Sequence, residues 1–473
     1  MRNFYTAGFL LFFLCCSHVF SQKIWSLEDC ISHALENNIQ VKQQQLNTAV
    51  SKLQYNQSIA ELFPSVNATA SHVYNNGQTV DMYTNTFASQ TVQSNNFYLS
   101  SNVVLFSGLR LLNGLKQKQY DFLASRYDLE KMKNDISLTI ATAYLQILYN
   151  LELLETSKNQ LEISKQQLKR TEALYNVGTV AKGSLLQIEA QAAADELQVV
   201  TAQNQLDLSY LSLAQFLDLQ TTQGFDIEKP SFSVPEAGLL SQQVDDIYEK
   251  ACAIQPDIKS AEMKVQSAKK GLQISRGMMS PSIMLSGSYG TGYSGASKNI
   301  ADISLSGYET IGITESGETV YGPTFQYTYE KVKFWDQLEN NLNSSVGLSL
   351  NVPIFNKWQT NTMISTSKIA VNSAELSLQN TKNQLYKTIQ QAYADARGAL
   401  NRYHASSKSV EALSESFNYT QQKFDAGMVN SLDYNDAKNK LAAANSELLK
   451  AKYEYVFRIK VIDFYQGNPF TLK

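Results

Sequence analysis

The chain is written twice, at two constant offsets. Residues 27–64 match residues 244–281 at an offset of 217, and residues 106–219 match 355–468 at an offset of 249. The second copy therefore carries 32 more residues, the difference between the offsets, all of them between Pro281 and Phe355. A duplication with one elastic segment separates frame from loop. It also turns a length of 473 residues from a case for several domains into one pseudo-symmetric unit.

A net charge of −3 gives no basic face for nucleic acid. Residues 1–21 read as a secretory signal: Arg2 heads it, Phe9 to Cys16 form its apolar middle, and Val19-Phe20-Ser21 is a small-residue cleavage site before Gln22. A lipid anchor on Cys15 or Cys16 is the alternative, against which stand the bulky residues preceding both cysteines. Beyond the signal, no apolar run approaches the ~20 residues of a membrane-spanning helix. The two remaining cysteines, Cys30 and Cys252, are not repeat equivalents, and in an exported chain they read as free thiols rather than a disulfide framework.

Each copy has the same order of elements. The first repeat, 22–242, holds a helix near 27–62, a β-hairpin at 65–106, a long helical hairpin at 108–217 and a linker at 218–242. The second, 243–473, holds a helix near 244–277, a β-hairpin at 282–355, a helical hairpin at 357–466 and a short tail. The strands show period-two alternation: Phe97, Leu99, Val103 and Leu105 on one face, and Val346, Leu348, Leu350 and Val352 in the second copy. The surplus residues lengthen the second polar loop, with Tyr321, Phe325, Tyr327, Tyr329 and Trp335. Leu115, Phe122, Leu129, Ile136 and Ala143 then recur at seven-residue spacing, matched by Ile364, Val371, Leu378, Leu385 and Ala392. That is the seam of a left-handed coiled coil. The long helix, about Gly108 to Asn176, spans roughly 100 Å at 1.5 Å per residue. Helices near 184–217 and 432–465 are half as long, so two laid end to end match one long helix. The expected stacking runs the helix from Ser184 into the one from Val244, and the C-terminal helix onto the N-terminal one. In this arrangement both β-hairpins lie at one end of a helical rod and both glycine turns at the other.

Two hairpins supply four strands of membrane-spanning length. Closed membrane barrels start at eight strands, and open edges facing lipid leave backbone groups unpaired at several kcal/mol each. Strands in a membrane must therefore be pooled among copies. A dimer gives eight strands and a filled interior, whereas a trimer gives twelve and an aqueous lumen; the trimer is the expectation.

Specific segments sharpen this. Phe63-Pro64-Ser65 and Ser280-Pro281-Ser282 enter the strands; Val104-Leu105-Phe106-Ser107-Gly108 and Val352-Pro353-Ile354-Phe355-Asn356 leave them. The turns are Tyr175-Asn176-Val177-Gly178-Thr179-Val180 and Phe424-Asp425-Ala426-Gly427-Met428-Val429. In these segments and their joint spacing, the whole mature chain resembles a TolC-family outer-membrane efflux protein. The resemblance implies a mainly α fold with a membrane β-barrel portion. Its unit is a duplicated helix–β-hairpin–helix, with a long coiled-coil α-barrel and four strands per subunit, closing as a twelve-strand barrel in a homotrimer. It implies a passive duct for efflux or type I secretion, set in outer-membrane lipid. Its implied partners are a periplasmic adaptor (membrane fusion protein) and an inner-membrane transporter of the RND or ABC class. No enzymatic role and no cofactor are implied.

In that family the turns meet the adaptor's tip, so the docking candidates are Gly178, Thr179, Val180, Ser184, Gly427, Met428, Val429 and Ser431. Read locally, Gly178 and Gly427 are left-handed helix C-caps, and Ser184 with Gln187 is a capping box. The two roles coexist. Asp433 and Asp436 lie one turn apart on the same helix. By the resemblance they line the periplasmic entrance, where threefold symmetry gathers six carboxylates that favour cations. A plainer role for Asp433 is a first-turn acid facing the helix dipole, worth ~0.3–1 kcal/mol. The repeat equivalents Ser184 and Gln187 carry no charge. Some members close the entrance with a tyrosine and an arginine where this chain has Phe424 and Val429, so any closure here uses packing or other links.

His18, His33, His72 and His404 are scattered, and no Cys/His/Asp/Glu cluster has metal-ligand spacing. Met278, Met279 and Met284 admit a soft-metal reading, but methionine fills helix-end and strand contacts far more often. No phosphate loop, nucleophile elbow or catalytic carboxylate pair occurs. The competing class is a non-channel periplasmic or surface coiled-coil scaffold, which has no need of paired alternating strands.

Overall fold

In the computed structural model, residues 24–88, 91–219, 224–230 and 242–471 are described. The signal segment and most of the linker lie outside them. Every long helix of the first half recurs in the second with its ends at the repeat offsets. Helices α1 (Leu27–Asn37) and α2 (Ile39–Ala60) correspond to α5 (Val244–Ile254) and α6 (Pro256–Gly277) at 217; α3 (Arg110–Asn176) and α4 (Lys182–Phe216) correspond to α8 (Gln359–Asp425) and α9 (Ser431–Tyr465) at 249.

The leading helix of each copy is two helices, not the single one the periodicity predicts. The breaks fall at Asn38 and Gln255, both extended, with ψ of 130° and 129°. Asn38 Oδ1 accepts the backbone N–H of Gln40 at 2.9 Å and Val41 at 3.4 Å, starting α2 afresh. In the second copy Pro256 opens α6, where its missing N–H costs nothing. The apolar stripe runs through both breaks, so periodicity alone misses them.

The chain divides into two compact units. One comprises residues 24–50, 122–264 and 374–471 of the described chain, and is helical apart from a short parallel pairing of β1 (Ile24–Trp25) with β6 (Asp226–Ile227). One of its cores packs Ile140, Tyr144, Ile147 and Leu148 of α3 against Leu206 and Leu213 of α4 and Leu27 and Cys30 of α1. Fully burying such side chains contributes ~1.5–3 kcal/mol each. The Tyr144 hydroxyl donates to the carbonyl of Glu228 at 2.7 Å, tying that core to the β6 segment. A second core sets Ala392, Ala396 and Ala399 of α8 against Tyr455, Ile459 and Ile462 of α9, the alanines leaving room for the tyrosine. Neither Cys30 nor Cys252 is in a disulfide.

In this unit the end-to-end stacking runs within each copy, not between copies as the helix lengths suggested. Asn38 Nδ2 reaches the Phe216 carbonyl at 3.5 Å, and Asp218 Oδ2 accepts the Ile39 N–H at 3.3 Å. At the equivalent place Gln255 Nε2 donates to the Tyr465 carbonyl at 3.3 Å. Thus α4 abuts α2, and α9 abuts α6. The breaks at Asn38 and Gln255 supply the free polar groups that receive the exposed ends of α4 and α9, a partner invisible when the leading helices are read as unbroken.

The second unit, residues 51–121 and 265–373, holds an antiparallel sheet in the order β10-β7-β5-β2, from β2 (Ser65–Asn75), β5 (Val92–Phe106), β7 (Ser282–Ser294) and β10 (Asn343–Asn351). Its register places Val66, Phe97, Leu99, Leu285, Val346 and Leu348 on one face, and Asn67, Thr69, Ser100, Ser288 and Ser345 on the other. The apolar face is largely exposed, and among the described residues the outer strands β2 and β10 are each paired on one side alone, to β5 and β7. Loop 1, between β2 and β5, holds a small ribbon of β3 (Thr79–Val80) and β4 (Phe87–Ala88). Loop 2, between β7 and β10, absorbs the surplus residues. It is not a plain loop but a second hairpin, β8 (Lys298–Ile313) with β9 (Thr319–Lys331), followed by α7 (Phe334–Asn340).

Candidate functional site at the helical turns

The turns close as the glycines foretell. Gly178 and Gly427 have φ of +80° and +73°, a region glycine enters without steric cost. Gly178 N–H bonds the Tyr175 carbonyl and Thr179 N–H that of Leu174, both at 2.9 Å. Gly427 and Met428 do the same to Phe424 and Lys423 at 3.0 and 2.8 Å. These are Schellman caps. The helix after the first turn starts earlier than the sequence indicates. Ala181, not Ser184, is the N-cap of α4 and makes no side-chain bond, so the Ser184–Gln187 capping box does not form. Asn430 caps α9, its side chain accepting the Asp433 N–H at 2.9 Å.

Gly178, Thr179, Gly427 and Met428 are exposed, while Val180, Ser184 and Val429 are half-buried. Ser431, by contrast, is buried and donates to Gln187 Oε1 at 2.5 Å. Asp433 and Asp436 both face solvent. Asp433 sits in the first turn of α9. Asp436 forms an ion pair with Lys440 at 2.7 Å, four residues on, which offsets its charge.

The structure brings the two hairpins together through side chains that pattern reading passed over. Gln191 and Asn439 exchange two amide hydrogen bonds, at 3.0 and 3.1 Å. Arg170 on α3 pairs with Asp425, the last residue of α8. Deeper, Lys438 on α9 is 3 % exposed and its Nζ lies 2.8 Å from Asp195 Oδ2 on α4. Lys438 also bonds the Ser164 hydroxyl and, at 3.3 Å, the Gln160 carbonyl of α3; Ser164 and Gln191 both donate to Asp195. Burial pulls the Lys438 pKa below its ordinary value, against the pull of Asp195.

Phe424 stacks on Tyr434 with centroids 4.7 Å apart. Tyr434 is fully buried beside Phe417 and Ile188. Burial, then Asp425, raises its hydroxyl pKa, while Arg170 pulls the other way.

No helix among the described residues is long and apolar enough to cross a membrane, and no group of three or more potential metal ligands occurs among them. The membrane-compatible element is the sheet with its apolar face.

The sequence model of the outer membrane efflux protein family matches residues 30–218 and 247–458, one block in each repeat. The chain belongs to that family: it is an outer-membrane efflux channel and not an enzyme. It is similar to the outer membrane protein TolC of Escherichia coli K12, at 22 % identity over 85 % of this chain and 74 % of that one. Its fold is similar to those of VceC from Vibrio cholerae and the CmeC outer membrane channel of Campylobacter jejuni. The TM-scores are 0.74 and 0.72, at 15 % and 16 % identity; each match covers 94 % of this chain, and 96 % and 86 % of the other.

Proposed function

We propose that three copies of the chain close a twelve-strand barrel and a helical tunnel, forming the exit duct of a tripartite efflux or type I secretion system. One observation carries this reading: a four-stranded sheet with an apolar face and two open edges, β2 and β10. Unpaired edges are untenable in lipid, and pairing β2 of one copy with β10 of the next removes all of them. The exposed turn residues Gly178, Thr179, Gly427 and Met428 then form the face that a periplasmic adaptor grips, leading to an inner-membrane transporter. Asp433 and Asp436 line the entrance, and the links between hairpins hold it narrow.

The test is the mass and conductance of the detergent-extracted protein. We expect three subunits and a cation-selective pore in planar bilayers; a monomer without conductance overturns the reading. Asp433→Ala is expected to reduce the preference for cations. Because Lys440 offsets Asp436, Lys440→Ala is expected to increase it, an outcome that a merely helix-capping role for these acids does not produce. A third variant addresses closure: Arg170→Ala removes a link between the hairpins and is expected to raise single-channel conductance.

A further inference from the structure

The β8–β9 ribbon is amphipathic in a way its sequence hides. Its pairing register shifts three times, leaving Ala301, Ser306 and Ile311 as extra residues on β8. Each shift restores the phase of the next apolar residue. Ile303 pairs with Tyr327, Leu305 with Phe325 and Tyr308 with Pro323, all on one face. Simple alternation along β8 would scatter these side chains over both faces. Bulges placed so regularly build a continuous apolar strip about 40 Å long, at ~3.3 Å per residue.

No described residue of the chain covers that strip. Ile303, Leu305, Tyr308, Phe325, Tyr327 and Tyr329 are all exposed. A two-stranded ribbon is at best marginally stable in water without something against its apolar face. Its base, by contrast, is fixed: Gln337 Nε2 donates to the carbonyls of Ser294 and Val332, both at 3.0 Å, and Ser294 donates to the buried Asp81 of loop 1 at 2.5 Å.

We infer that the β8–β9 ribbon is a clasp that lies on the loop 1 tip of a neighbouring copy of this chain. The inference rests on the ring proposed above. In the sheet order β10-β7-β5-β2, loop 2 stands at one edge and loop 1 at the other. Closing β2 of one copy on β10 of the next therefore sets loop 1 of the first beside loop 2 of the second. The loop 1 tip is the complement this requires. Val80, Met82 and Phe87 are exposed there, Phe87 at 85 %, and the single charge of the tip, Asp81, is buried and hydrogen-bonded. A lipid surface is the poorer partner. Elements that lie on membranes carry Lys and Arg on their polar side, whereas this ribbon's polar face and turn carry Asp302, Glu309, Glu315, Glu318 and Glu330.

The test is oxidative cross-linking of the full-length protein in outer membranes, with Phe87→Cys combined with Phe325→Cys or with Tyr327→Cys. Bridging requires Cα atoms within about 7 Å, so cross-links report seating of the ribbon. Species of two and three subunits are expected in a double variant, abolished by reductant and absent from every single variant. Phe325→Glu with Tyr327→Glu is expected to lower the temperature at which the extracted trimer dissociates. A trimer by mass that gives no cross-link and keeps its dissociation temperature overturns the clasp but leaves the ring. Quenching of a fluorophore on Tyr327→Cys by brominated lipid chains also overturns the clasp, placing the ribbon on the membrane. A monomer in detergent instead overturns the ring itself.

Discussion

Lys438→Met is expected to destabilise the packing of the two helical hairpins by about 3–5 kcal/mol, the cost of leaving a buried charge without its partner. The lysine and Asp195 sit at 3 % and 11 % side-chain exposure. Removing the ammonium strands the carboxylate with only Ser164 and Gln191 as donors. The double variant Lys438→Met/Asp195→Leu removes both charges together, and replacing such a pair by apolar residues is commonly neutral or stabilising by ~1–4 kcal/mol. Recovery of stability in the double variant is therefore the diagnostic outcome. Limited proteolysis at the Gly178 and Gly427 turns measures it: cleavage should accelerate sharply in Lys438→Met and return toward wild type in the double variant. Equal sensitivity of the two would show that the pair does not tie the hairpins. Linkage gives a further check. Because the folded-state pKa of Lys438 lies below 10.5, the unfolded chain holds that proton more tightly at alkaline pH. The lysine's contribution to stability therefore improves as pH rises from its lowered folded value toward 10.5, and below that value the full desolvation cost applies.

The frame was legible because it depends on patterns that repeat. All ten apolar residues of the two heptad seams are buried or half-buried, and the helix ends recur at both offsets. What escaped was polar. The seven-residue seam of α3 does not end at Ala143 but continues through Asn150, Ser157, Ser164 and Thr171, all buried. A search for apolar periodicity stops where the seam turns hydrophilic, and that is where the Lys438–Asp195 network begins. The signal was present as charge in the wrong place. Asp195 follows Ile188 and Ala192 on the buried stripe of α4, and Lys438 follows Tyr434 on that of α9. A lone lysine and a lone aspartate on apolar stripes of two adjoining helices are each a poor fit, and together they imply a pair.

The other misses have the same physical root: local sequence does not reveal which partner satisfies a polar group. Ser184 and Gln187 have the spacing of a capping box, but the helix begins at Lys182, and Gln187 instead serves Ser431 of the other hairpin. Asn38 looks like an ordinary helical residue until its side chain is seen to cap α2 and reach the end of α4. The β8–β9 hairpin was hidden by its three register shifts, which break the period-two signal that revealed β5 and β10.

Gly108→Ala is expected to cost about 2–5 kcal/mol, combining ~1–2 for a left-handed non-glycine residue with ~1–3 for forced overpacking. Gly108 has φ of +64°, and a Cβ there would stand 2.5 Å from the Gly277 carbonyl oxygen and 2.6 Å from Ser280 Cβ. The contact is reciprocal: a Cβ on Gly277 would meet the Gly108 carbonyl oxygen at 2.5 Å. Backbone faces backbone, so no side chain can swing away. The second copy separates the two causes. At the equivalent positions Lys357 and Trp358 have φ of +54° and +66°, as Gly108 and Leu109 have +64° and +61°. Exposed Lys357 shows that this exit from the strands tolerates a side chain in the left-handed region where there is room. Close approach, not backbone conformation, must then account for most of the loss at Gly108. Gly178→Ala serves as the control: its φ is +80°, but nothing lies within 4 Å of the added methyl, so only the ~1–2 kcal/mol conformational cost applies. Thermal unfolding of the three extracted proteins should rank wild type above Gly178→Ala and Gly178→Ala above Gly108→Ala. Lys357→Gly should not fall below wild type. Equal losses at Gly108 and Gly178 would mean that the α6 end and the β5 exit part without cost, and that their contact does not fix how the sheet meets its helices.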